Sequence, residues 1–161
     1  MAPLIVLLVV TTLARCAGWL GVPALRTWAA ATRAGLAVMF LFTATAHFTA
    51  MRADLMRMVP PWVPEPGVMV TLTGSLEAAG AIGLLVPRTR KLAAAALVLL
   101  LVALLPANIH AALAGVTIRG AAPTPLVPRV ALQVLFIALV WWSGVHRAFD
   151  DARPGDARPG L

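Results

Sequence analysis

Five side chains in this sequence could do chemistry from within apolar stretches: His47, Glu77, Asn108, His110 and Gln133. Glu77 is the only carboxylate in such a stretch. A carboxyl group there can relay a proton, hold a polar headgroup, or, as the neutral acid, simply bond one helix to the next. The two imidazoles can donate or accept hydrogen bonds and exchange protons. They sit in separate segments rather than as an i, i+4 pair, so the spacing offers no metal site. Close to an interface, a partly solvated histidine also needs no special role. Pro106 removes the usual donor to the Val102 carbonyl. Asn108, two residues on, can satisfy local backbone groups in such a kinked segment or line a pocket wall. Thr73 lies four residues before Glu77 and shares its helical face, which predicts a hydroxyl–carboxyl contact. No Ser–His–Asp spacing, phosphate-binding Gly-rich loop or paired carboxylate is present, so no catalytic residue can be assigned.

The elements that carry these residues follow from hydropathy. The 161-residue chain is 61% hydrophobic and only 12% charged, and its charges cluster between long apolar runs, which is the membrane pattern. Five segments predict membrane-spanning helices: Pro3 to Leu20, weakened by Arg15; Ala34 to Met51, bounded by Arg33 and Arg52; Gly67 to Pro87; Leu92 to Ala114; and Val130 to Val145. At 1.5 Å per residue, the second covers roughly 27 Å of a hydrocarbon core of about 30 Å. With the N-terminus outside, the inner side receives Arg15, Arg26, Arg33, Arg88, Arg90, Lys91, Arg147, Arg153 and Arg158. The outer side receives Arg52, Arg57, Arg119 and Arg129, and nine against four favours N-out, C-in. Helix rise puts His47 and His110 roughly 6 Å deep, Asn108 roughly 9 Å and Glu77 roughly 15 Å, all counted from the outer face. Gln133 lies between these limits. Four helices thus bring polar groups to the non-cytoplasmic half, and the inner half is expected to hold nothing comparable.

The +7 formal charge does not indicate a nucleic-acid partner, because the 13 basic residues are dispersed in ones, twos and threes. Cys16 is the sole cysteine, which excludes an internal disulfide or a Cys-x-x-Cys couple and suits a small packing residue. The Pro-rich stretch from Arg52 to Pro66 is too polar to span. Leu55, Met56, Met58 and Trp62 are expected to lie on the outer surface, and Pro66 to open the next helix. The DARPG pentapeptide, repeated in tandem in the tail, reads as a disordered cytoplasmic end.

The stretches GLAVMFLFTATAHF (Gly35 to Phe48), MVPPWVP (Met58 to Pro64), TGSLEAAGAIGLLVPRTR (Thr73 to Arg90), LLPANIHAAL (Leu104 to Leu113) and LQVLFIALVWW (Leu132 to Trp142) together resemble the DoxX family of membrane proteins. The resemblance covers roughly Arg33 to Trp142. It implies an all-α integral membrane four-helix bundle over residues 26–145, with an additional N-terminal transmembrane helix in 1–25 and a cytoplasmic tail in 146–161. His47, Glu77, Pro106 and Asn108 fall where that family has polar or kinking residues. Ala44 stands where relatives often have glycine.

The function expected from the resemblance is an accessory subunit of a membrane redox system in the inner (plasma) membrane of a bacterium. It would bind a quinone or similar lipid-soluble molecule through His47, Glu77, Asn108, His110 and Gln133. The alternative is a non-catalytic assembly or interaction protein, whose partner is another membrane protein or a second copy. In that case the small residues from Gly74 to Gly83 would form the docking face. Apart from the lipid bilayer, the sequence fixes no partner, and it fixes no cofactor. A small transporter fits poorly, since five short spans show no internal duplication.

Overall fold

The computed structural model describes residues 2–146, which form six α-helices joined by short connections, with no β-strand among the described residues. The tandem DARPG tail falls outside them. The helices are α1 (Ala2–Trp19), α2 (Trp28–Ala46), α3 (Arg52–Met58), α4 (Pro66–Leu85), α5 (Arg90–Leu113) and α6 (Leu126–Val140). A short 3-10 turn at Pro23–Leu25 precedes α2, and a π-helical turn at Trp141–His146 extends α6. Five of the helices, α3 excepted, are long and apolar enough to cross a membrane, which is consistent with a multi-pass membrane protein.

The largest departure from the sequence reading is α2. Hydropathy takes Arg33 as a boundary, but the helix begins at Trp28, where the Thr27 hydroxyl accepts a hydrogen bond from the Ala30 N–H at 3.1 Å. This is an ordinary N-cap. The helix ends at Ala46, and His47 is its C-cap rather than a residue four positions inside it. Arg33 is therefore a helical residue, 7% exposed, whose Nη1 donates to the Ser143 carbonyl at 2.8 Å. Arg15 does not break α1 either. Its guanidinium lies over the Trp19 and Trp28 rings, 4.7 and 5.4 Å from their centroids. That arrangement lets a cation one turn from the helix end face aromatic surface. Pro66 opens α4, as its fixed φ and missing N–H predict.

Packing runs as a ring. α2 packs on α4, α4 on α5, α5 on α6, and the π-helical turn closes back onto α2 and α5. α1 packs mainly on the outside of α2. The close approach is made by small residues: a Cβ on Gly35 would lie 2.1 Å from Thr11 Oγ1, and one on Gly80 would lie 2.6 Å from Leu97. Ala31, Ala37, Ala81 and Ala94 are fully buried, whereas Leu92 and Leu99 point outward and are 73% and 70% exposed. Small side chains at the helix contacts, beside a core that also holds Leu36, Phe40, Leu84 and Leu97, and large apolar ones outside suit a lipid solvent. There, leucine on the surface costs nothing and helices gain by close contact.

Candidate functional site

The buried polar residues form two assemblies at one end of the ring and a third at the other. In the first, Thr43 on α2 reaches across to α4 and donates from Oγ1 to Glu77 Oε2 at 2.8 Å. Glu77 is 7% exposed, and among the described residues no cation is paired with it. One turn beyond Thr43, the His47 ring meets the Thr43 carbonyl through Nδ1 at 3.2 Å and lies against Gly74. Arg52 then staples the two helix ends: Nη1 donates to the His47 carbonyl at 3.0 Å and Nη2 to the Gly67 carbonyl at 2.7 Å.

The second assembly joins α5 to α6. Arg129 Nη1 donates to Asn108 Oδ1 at 3.3 Å, Asn108 Nδ2 donates to Gln133 Oε1 at 2.7 Å, and Gln133 Nε2 donates to the Leu101 carbonyl. Every bond points the same way, from cation to carbonyl, so each polarises the next. The chain ends at Leu101, the residue before Val102, whose carbonyl is the one Pro106 cannot serve. Asn108 Nδ2 also reaches the Leu104 carbonyl at 3.3 Å. At the other end, Arg129 Nε is buried without a hydrogen-bond partner.

Above these lies a cap made of α3 and the 114–125 connection. His110 Nδ1 meets the Met58 carbonyl at 3.2 Å, so His110 ties α5 to α3 and joins neither assembly. Asp54 accepts from Arg57 through one oxygen and from the Arg119 N–H through the other, at 2.8 Å. Arg119 adopts a left-handed backbone (φ 52) that aims its N–H at α3. The Asp54→Ala variant is expected to lower the hydrogen-exchange protection of the Arg119 amide about tenfold, because a bond to a charged acceptor contributes roughly 1.5 kcal/mol or more. Arg57→Ala should leave that amide largely protected, since Asp54 remains.

Two expectations need correction. Thr73 does not reach Glu77; its hydroxyl donates to the carbonyls of Met69 and Val70 at 2.9 and 3.1 Å, the local bond always on offer to a helical threonine. The five sequence candidates divide between these two assemblies and the cap: His47 and Glu77 in the first, Asn108 and Gln133 in the second, His110 against α3. The opposite end of the ring is also not bare, since Thr32, Arg33 and Ser143 are all buried there. Sequence reading missed Thr43, Arg129 and Arg33. A signal was present for two of them: Thr43 is four residues before His47, and Arg129 four before Gln133, so each shares a helical face with a chosen residue. Among the described residues, no three His, Cys, Asp or Glu side chains gather as a metal ion would require.

A protein that is helical, without strands, over its described residues, with five potential membrane spans among them and paired polar groups between its helices, is the class that fold and site define. A family model described as "Domain of unknown function (DUF8561)" matches residues 36–144, and the chain belongs to that family. The match runs from α2 into the π-helical turn and leaves out α1. No curated protein and no solved structure matches the chain.

Proposed function

We propose that this chain is a DoxX-like integral membrane protein that binds a quinone or similar lipid-soluble molecule, as an accessory subunit of a membrane redox system. In this reading α2, α4, α5 and α6 are the four-helix membrane bundle and α1 is an added span. That division is supported by the ring packing and by a family match that omits α1. The chain would sit in the inner (plasma) membrane, and nine basic residues against four support an N-out, C-in orientation. The Glu77–Thr43 pair and the Arg129–Asn108–Gln133 chain then lie in the non-cytoplasmic half, under the α3 cap.

The observation that carries this reading is Glu77 itself. An ionisable group within a span costs about 2.5–3.5 kcal/mol to insert and is normally offset by a partner charge or a function. Glu77 has a hydroxyl donor and no paired cation among the described residues. A carboxyl group so held can exchange a proton with a quinone oxygen. Arg129, with a buried Nε to spare, can donate to a carbonyl. The interaction-protein alternative relied on the small residues of α4. Gly74, Gly80 and Gly83 already abut His47, Leu97 and Ala93 of this same chain.

The full chain, extracted gently from quinone-containing membranes, is expected to retain quinone detectable by mass spectrometry. The Glu77→Gln, His47→Ala double variant should retain at least tenfold less. Equal quinone content in the variant would sink the proposal. Recovery of a stoichiometric protein partner with no quinone would favour the assembly reading instead.

A further inference from the structure

The geometry points to a second binding site, independent of the polar assemblies: a groove between α4 and α5 that holds one acyl chain of an anionic phospholipid, with the phosphate against the Arg88–Lys91 corner. The groove has a volume of about 900 Å³ and is lined by Leu76, Ile82, Ala96, Leu99 and Ala103, with Thr89 at one end. It exists because α4 and α5 meet through glycine and alanine, which hold the helices close without filling the surface between them. From Thr89 to Ala103 it runs about 21 Å along α5, enough to take a tail that crosses one leaflet of a hydrocarbon core about 30 Å thick. Thr89 contributes the hydroxyl at this end, already donating to the Gly83 carbonyl at 3.1 Å.

Charge selects the occupant. Arg88 in the connection between the two helices, and Arg90 and Lys91 at the start of α5, flank Thr89, so the groove opens beside three cations at the level where a headgroup would lie. Juxtamembrane basic clusters of this kind attract anionic lipid. A second copy of the chain complements this corner poorly. Its acidic residues Asp54 and Glu65 are at the opposite helix ends, and Glu77 is buried. Residues 147–161 add three Asp and three Arg, hence no net negative charge.

The test uses the full chain in mild detergent, titrated with dioleoyl phosphatidylglycerol or dioleoyl phosphatidylcholine and read by native mass spectrometry. One phosphatidylglycerol per chain should be retained, at least tenfold more tightly than phosphatidylcholine. The R88Q/R90Q/K91Q variant should remove that preference. Ala96 is exposed on the groove wall, so A96F should fill the groove and weaken both lipids while leaving the fold and the retained quinone unchanged. Glycerol 3-phosphate, which lacks the tails, should not compete. Equal retention of the two lipids, retention unaffected by A96F, or competition by glycerol 3-phosphate would each overturn the site. A lipid-free dimer dispersed by A96F would do so too, by assigning the groove to a second copy.

Discussion

Replacing Gly74 by valine is expected to cost about 3 kcal/mol, the upper end of overpacking penalties. The thermal midpoint of the detergent-solubilised chain should fall by about 6–12 °C. A Cβ at position 74 would stand 2.5 Å from His47 Cβ, 2.7 Å from its Cγ and 3.1 Å from Phe48 Cε2. The imidazole cannot easily yield, because its Nδ1 meets the Thr43 carbonyl and its backbone N–H is tied to Ala44 as the C-cap of α2. The helices must therefore part, and Glu77, one turn along α4, should lose its bond to Thr43. Gly67→Ala is the contrasting case. There the nearest atom is Arg52 Nη2 at 3.5 Å, an ordinary contact, and in the first turn of α4 alanine should gain no more than roughly 0.5–1 kcal/mol over glycine, the helix-interior value. Adding His47→Gly to the Gly74→Val background removes the colliding atoms and should recover part of the loss, a coupling that a double-mutant cycle measures. A Gly74→Val midpoint within about 2 °C of the parent would refute this account of the α2–α4 seam.

The five long helices were legible because apolar runs of that length have few alternatives. Most ends were too, where a proline or a charge cluster marks them, as at Pro66. What hydropathy could not locate was the register of α2. An arginine reads as the edge of a span, whereas the helix start is set by the Thr27 cap six residues earlier. That shift moved His47 to a helix end and Arg33 into the ring. The polar residues of the candidate site were legible by type but not by partner. Which hydroxyl meets Glu77 depends on helix rotation and packing: spacing points to Thr73 on the same helix and says nothing of Thr43 on another. The directional chain from Arg129 to Leu101 likewise joins four positions on two helices, and only their packing brings these together.

Those same considerations make Arg33 the most informative residue at the other end of the ring. Arg33→Met keeps the length and apolar stem of the side chain but removes the donor to the Ser143 carbonyl. The lost bond to a charged group is expected to cost about 1.5–3 kcal/mol. The loss should be concentrated in the π-helical turn, whose Ser143 carbonyl Arg33 holds. Hydrogen exchange should accordingly rise most in residues 139–146 and little in α4. Ser143→Ala distinguishes this contact from a general sensitivity of the region. Arg33 bonds to the backbone carbonyl, and the Ser143 hydroxyl donates only to Leu139 within its own helix, at 2.7 Å. That variant should stay within about 1 kcal/mol of the parent. Under the proposed orientation, removing one of nine inner cations leaves eight against four, so topology should not change and the readout remains one of packing. If Arg33→Met and Ser143→Ala behave alike, the guanidinium does not hold the end of α6 to α2, and the closure of the ring has some other cause.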